Sequence, residues 1–363
     1  MNSLDDEGAI ALLVGALERP SPSGEEAVVA AYLRDALAPF AADATLDEVG
    51  NVIASVGRGA RRVVLLGHLD TVPGWPSVRR ADGAVHGRGA VDAKGPLCAM
   101  ASALTRLSAR ARERLTVVLV GAVEEEAPTS RGARHAVATL APPDLVVIGE
   151  PSGWDGVTLG YKGRVVVRLA ASKGVAHSAR AEATALEAVV DGWSAVRAWA
   201  RSRSTAAAGA FDSVQATLLD VDAHDDALLA FASARIGLRL PTTCTPAEAE
   251  LELRHAIADV ASSTGVGIEV HVAAGEAAYR GPRDTPLTRA FRSAIRASGG
   301  TPRLTLKTGT SDMNVVAPAW PVPIVAYGPG DAALDHTPAE HVQEWEYLRG
   351  IDVLTLALER LAT

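Results

Sequence analysis

At 363 residues, 48% hydrophobic and 21% charged, the chain is too rich in apolar residues for disorder and long enough for two hydrophobic cores. A formal net charge of -8 argues against general attraction to nucleic acid or an anionic membrane, and two cysteines, Cys98 and Cys244, are too few for a disulfide scaffold or a cysteine-only metal site. The N-terminal MNSLDDEGAIALLVG carries acids where a leader needs bases, and no apolar run approaches the roughly 18 residues of a membrane helix, so a cytoplasmic address is expected.

Helical spacing over 25–38 precedes the first buried-strand pattern, RVVLLG at 62–67, which runs into Gly67-His68-Leu69-Asp70. Residues two apart in an extended segment point the same way, so Asp70 can accept a hydrogen bond from one ring nitrogen of His68 while the other nitrogen binds a metal. Taken alone, the same pair suits an ordinary polar loop. Next comes Gly87-Arg88-Gly89-Ala90-Val91-Asp92-Ala93-Lys94-Gly95, a glycine-rich turn ahead of a helix at 95–108. Neither the Walker spacing nor the strand-GxGxxG-helix order is present, and an acid at Asp92 would repel a phosphate, so a carboxylate bridging two cations fits better than a phosphate cradle. A capped turn is the plainer alternative.

The strand pattern LTVVLVGAV at 115–123 ends on Glu124-Glu125-Glu126, three adjacent carboxylates that are costly near a buried strand end unless cations neutralise them or some stay protonated. A helix at 132–140 and the strand pattern DLVVIG at 144–149 lead to Glu150. Beyond a helix at 286–298, VPIVAY at 322–327 leads through a GPG turn to Asp335-His336. Helices alternating with apolar strands predict an α/β fold, and strand ends on one edge of its sheet converge. His68, Glu124 to Glu126, Glu150 and His336 each follow such a strand.

The middle of the chain differs. A strand at 165–171, a helix near 182–202, strands near 213–220 and 233–240, a helix near 246–261 and IEVHVAA give the order βαββαβ, a four-stranded sheet with two helices on one face. The predicted boundaries are 165–277 for this insert and 1–164 with 278–363 for the flanking domain, and AAAGA at 206–210 is expected as a loop. Of 35 basic residues only Lys94, Lys162, Lys173 and Lys307 are lysines. Tyr161-Lys162 and Lys307-Thr308-Gly309-Thr310-Ser311-Asp312 offer cations and hydroxyls to a substrate carboxylate, or simple turn chemistry.

On these motifs the whole chain resembles the di-zinc aminoacylase and carboxypeptidase G family of metallopeptidases, which includes acetylornithine deacetylase and succinyl-diaminopimelate desuccinylase. The resemblance implies a mixed-sheet zinc-peptidase-like catalytic domain with an inserted α+β, ferredoxin-like lid and dimerisation domain. It implies two zinc ions per subunit, with cobalt or manganese as other occupants: Asp92 bridging, His68 and Glu150 completing one site, Glu126 and His336 the other. Glu125 would be the general base, Asp70 would orient His68, and His177, in Gly174-Val175-Ala176-His177-Ser178, would reach the partner subunit's active site to stabilise the oxyanion. The family's usual Asp-Glu-Glu is here Glu124-Glu125-Glu126, with Glu124 aligned to the leading acid. His86, His135 and His341 are expected as non-ligands.

The segments VGAVEEEAP, GEPSGWDGVTLGYKGR and KTGTSDMNV are most similar to the branch that releases lysine or ornithine from an amino-group carrier protein, in lysine and arginine biosynthesis. An acidic carrier would need a local arginine patch, for which Arg131 and Arg134 are candidates, and Lys307 is a candidate substrate contact. The alternatives are a free N-acetyl-lysine or N-acetylornithine deacetylase, a broader dipeptidase or carboxypeptidase, and a non-catalytic amino-acid binder, against which retention of all the ligand-type residues and Glu125 argues.

Overall fold

A computed structural model describes residues 3–41, 43–177, 181–204, 209–273 and 275–363. Ser178 of the histidine-bearing loop, 206–208 of the alanine-rich loop and residue 274 lie outside the described residues. The chain divides into two compact units, one made of 1–160, 281–306 and 311–363, the other of 161–280 with 307–310. The insert expected at 165–277 falls inside the second unit, and Lys307–Thr310 joins it from the later flank.

The first unit is built on a mixed sheet whose strands run in the order Thr45–Leu46, Val52–Gly57, Leu115–Ala122, Arg61–His68, Leu145–Gly149, Ile324–Ala326 and Gly156–Tyr161, with Arg303–Lys307 pairing the last. The strands expected from apolar runs are its centre. Arg61–His68 pairs in parallel with Leu115–Ala122 and Leu145–Gly149, and Ile324–Ala326 runs parallel to Leu145–Gly149. Residues Val63 to Leu66 are all fully buried, as continuous apolar runs in a covered parallel sheet require. The register sets His68 opposite Ala122 and Gly67 opposite Gly149, so the chain leaves these strands at one edge.

Around the sheet lie helices Asp6–Leu17, Ala27–Leu37, Lys94–Arg106, Pro286–Ala297 and Glu344–Leu361, whose Leu13, Leu33, Leu97, Leu104, Phe291 and Leu354 share one core with the sheet. Lys94–Arg106 is buried along nearly its whole length, the behaviour of a helix that is apolar all round. Its Lys94 is 1% exposed and donates Nζ hydrogen bonds to the carbonyls of Ala16 and Arg19, at 3.2 and 2.8 Å. Burial pushes this ammonium down to about 8. The terminal helices Asp6–Leu17 and Glu344–Leu361 and the strands Val52–Gly57, Gly156–Tyr161 and Arg303–Lys307 were not among the expected elements.

The second unit is an antiparallel four-stranded sheet in the order Gln215–Asp225, Leu229–Leu240, Gly163–Gly174, Ile268–Val272. Alternate residues of its inner strand, Val165, Val167 and Leu169, pack on Val196, Trp199, Leu253 and Ile257 from helices Ala185–Ser202 and Pro246–Thr264. Both helices start on capping boxes, Thr184 with Glu187 and Thr245 with Glu248. Lys162 is fully buried, and its ammonium donates to the carbonyls of Ala210 (2.9 Å) and Ser213 and to Gln215. These bonds favour the turn-chemistry alternative for Lys162. No helix among the described residues is long and apolar enough to cross a membrane.

Candidate active site

Four strand ends of the first unit deliver the acidic cluster. His68 closes its strand with its side chain 2% exposed, and its Nε2 lies 3.3 Å from Asp92 Oδ1 and 3.9 Å from both Glu125 Oε2 and Glu150 Oε1. His336 Nε2 approaches the other oxygen of the same aspartate, Asp92 Oδ2, at 2.9 Å, and Glu126 Oε1 at 2.8 Å. One carboxylate thus faces two imidazoles, one through each oxygen. The ligand atoms of His68, Asp92 and Glu126 all lie within 4.8 Å of one another.

The turn that carries Asp92 needs its glycines. Gly89 has φ +91°, and a Cβ on Gly95 would stand 2.1 Å from the carbonyl oxygen of Ala90. The Asp92–Ala93 peptide is cis.

Asp70, fully buried, does more than the sequence suggested. His68 Nδ1 meets the backbone carbonyl of Asp70 at 2.9 Å, with the carboxylate oxygen Oδ1 further off at 3.5 Å. The carboxylate mainly accepts the backbone N–H groups of Glu125 and Glu126, both at 3.0 Å, and the hydroxyl of Ser23 at 2.7 Å. Asp70 therefore holds the turn that aims the acids as well as the ring of His68. Ser23 was missed, since no spacing ties it to Asp70. The three consecutive acids part company: Glu124, at φ +58°, accepts from Thr129 (2.6 Å) and Arg131 (2.7 Å), which leaves Glu125 and Glu126 for the cluster. Arg131 is thereby committed to Glu124, and Arg134 donates to the carbonyl of Thr129.

Burial raises Glu125 well above the usual carboxylate range; His68 opposes the shift, and Glu150, Asp312 and Glu126 reinforce it. Burial would push His68 down, yet its hydrogen bonds to Asp70 and Asp92 and the charge of Glu125 outweigh that and raise it well above its ordinary value. Asp92 is held well below its ordinary value by both imidazoles, against its burial. The hydrogen bonds to Asp92 and Glu126 raise His336 to about 10.

In metal-stripped protein the folded pKa of His336 thus stands above the unfolded value of about 6.5. The ion pair's stabilisation is full below about pH 6.5 and is lost as the pH rises towards about 10. The melting temperature of metal-stripped protein is expected to fall over that window by more than that of His336→Ala. Equal slopes in a scanning-fluorimetry series would remove the ion pair.

Of the other sequence candidates, His177 is exposed just beyond the Gly163–Gly174 strand and Lys307 ends the Arg303–Lys307 strand; both belong to the second unit. His86 and His341 stack on each other with ring centroids 5.0 Å apart, and His135 lies 3.7 Å from Asp47.

The donors suit a divalent cation. Two imidazoles and four carboxylates converge, all little exposed except the half-exposed ring of His336, and mixed nitrogen and oxygen donors of this kind suit zinc and its neighbours in the series. The two rings offset part of the charge of the acids.

The pattern of Peptidase family M20/M25/M40 matches residues 64–360. A protein of Deinococcus radiodurans named [LysW]-lysine hydrolase is 48% identical over 361 residues, covering 98% of each chain. One of Thermococcus kodakarensis, named putative [LysW]-lysine/[LysW]-ornithine hydrolase, is 36% identical and covers 99% of this chain and 93% of its own. Among solved structures, an M20 family metallo-carboxypeptidase of Sulfolobus solfataricus superposes with TM-score 0.76 at 16% identity, covering 98% of this chain and 99% of its own. A Staphylococcus aureus tripeptidase gives TM-score 0.78 at 17% identity, covering 99% of each.

Proposed function

The chain belongs to peptidase family M20/M25/M40, and from that premise we propose that it is a metal-dependent amide hydrolase that releases L-lysine, or L-ornithine, from an amino-group carrier protein. The observation that carries the substrate is the full-length likeness to a [LysW]-lysine hydrolase at 48% identity, beside a complete constellation of ligand-type residues and Glu125. The reaction would belong to amino-acid biosynthesis, with the cytoplasm as its proposed compartment.

His68 and Glu150 would hold one zinc, Glu126 and His336 the second, and Asp92 both. Bound there, divalent cations would supply Lewis acidity towards the amide carbonyl and the attacking water. The chain's own part is proton handling and orientation. Glu125 takes the proton of the attacking water on a carboxylate oxygen and hands it to the amine nitrogen as the C–N bond breaks, leaving a carboxylate and an amine. The raised pKa of Glu125 suits a group that must hold that proton between the two steps. Asp70 keeps Glu125 and Glu126 aimed through their backbone N–H groups. His177 would stabilise the oxyanion in the partner subunit's active site, and Lys307 would contact the substrate carboxylate.

A lid and homodimer role for the second unit is supported by its edge strand, Gln215–Asp225, which is exposed along its length and leaves Leu219 and Val221 at 48% and 43% exposure. A carrier-protein partner is supported by the likeness to the [LysW]-lysine and [LysW]-lysine/[LysW]-ornithine hydrolases.

The test compares lysine and ornithine release from the carrier amide with hydrolysis of N-acetyl-lysine and N-acetylornithine by the zinc-loaded protein. A higher kcat/KM on the carrier form is expected. Equal or better turnover of the acetylated amino acids would make the protein a free deacetylase.

A further inference from the structure

Glu340 lies just beyond His336 and is 1% exposed. Its Oε1 accepts hydrogen bonds from the backbone N–H groups of Gly89, Val91 and Asp92, each at 3.0 Å. Its Oε2 accepts from Arg88 Nη1 at 2.6 Å, within a pair whose side chains are 6% and 0% exposed. Arg88 in turn donates to the carbonyls of Gly74 at 3.1 Å, Thr337 at 3.3 Å and His336 at 3.3 Å.

A carboxylate and a guanidinium so deeply buried persist only when paired and hydrogen-bonded, and here the bonds go to three particular segments. One follows His68 and Asp70, one carries Asp92 and one carries His336. Glu340 grips the amide of Asp92 itself, and Arg88 grips the carbonyl of His336 itself. A single ion pair therefore sets the backbone of the two residues whose side chains meet at 2.9 Å.

We infer that Glu340 and Arg88 form a positioning pair that fixes Asp92 against His336, so that cation affinity depends on two residues that donate no ligand. The inference rests on the divalent-cation reading of the site. Groups behind a metal's ligands commonly govern affinity in this way by limiting the positions the ligands can take. Removing either partner frees one loop relative to the other while leaving every ligand side chain in place.

The experiment is calorimetric titration of metal-stripped wild type, Glu340→Gln and Arg88→Lys with zinc alone, circular dichroism recording whether each is folded. Glutamine keeps one oxygen for the N–H groups but turns an amide NH2 towards Arg88; lysine keeps the charge but cannot reach four acceptors at once. Both folded variants are expected to bind zinc about 10- to 100-fold more weakly. In both, kcat should recover towards wild type at saturating zinc, with KM for the amide substrate unchanged. Folded variants that bind zinc as wild type does would overturn the inference. So would two variants that fail to fold, because the pair would then support the fold and not the site. A wild type that takes up no zinc would contradict the cation reading itself, and the inference would fall with it.

Discussion

Replacing Glu125 by glutamine is expected to lower kcat by roughly 10²- to 10⁴-fold while leaving the metal content of the protein unchanged, the range for loss of a positioned general base. Glutamine preserves the shape and the backbone N–H bond to Asp70 at 3.0 Å, so the turn and its neighbour Glu126 keep their places. What it removes is the only property the mechanism needs from this side chain, a carboxylate that can take a proton and return it. Burial and the neighbouring acids favour the protonated form, and His68 opposes them, which is the balance expected of a group that must pass through both states. The check is kcat for lysine release with metal content measured on the same sample. Activity within tenfold of wild type at full metal content would take the base assignment away from Glu125.

The second large effect is at Asp92. Its two oxygens address different imidazoles, Oδ1 towards His68 at 3.3 Å and Oδ2 towards His336 at 2.9 Å. Asparagine has one oxygen and one NH2, so whichever way the amide turns, one side of the site gains a donor where a cation needs an acceptor, and a negative charge is lost as well. Asp92→Asn is expected to lose about 10³-fold or more in kcat/KM, because both Lewis acidity and orientation depend on it. Zinc uptake should fall with it, since in the proposed arrangement Asp92 is the ligand that both ions share. A variant that bound a full complement of zinc and hydrolysed normally would show that Asp92 does not bridge. The contrast with Glu125→Gln is the useful part: one substitution removes activity and keeps metal, the other removes both.

Much of the site could be read from the sequence because most of its ligand-type residues follow buried apolar strands, His68, Glu125, Glu126 and Glu150 directly and His336 after a turn. RVVLLG, LTVVLVGAV, DLVVIG and VPIVAY carry their burial in composition alone, and the parallel register then brings His68, Glu125, Glu126 and Glu150 to one edge, which the loop after VPIVAY reaches with His336. The βαββαβ order of the second unit was equally plain. What could not be read are groups whose role depends on long-range contact. Glu340 looks like any acid in the stretch after His336, and nothing local reveals that it binds the amides of Gly89, Val91 and Asp92, some 250 positions earlier in the chain. Ser23 on Asp70 is of the same kind. The rarity of lysine drew attention to Lys94 and Lys162, yet both are buried and hold backbone carbonyls, a use of lysine with no sequence signature. Short strands such as Val52–Gly57 and Gly156–Tyr161 lack a long apolar run, and their place in the sheet is set by their neighbours.

The most direct test of the bimetallic centre is the zinc bound per chain in fully active wild-type protein, with the ions located by anomalous scattering. Two ions are expected, one beside His68 and Glu150, the other beside Glu126 and His336, with Asp92 touching both. A single ion per chain, or two ions of which neither contacts Asp92, in protein that releases lysine at full rate would contradict it.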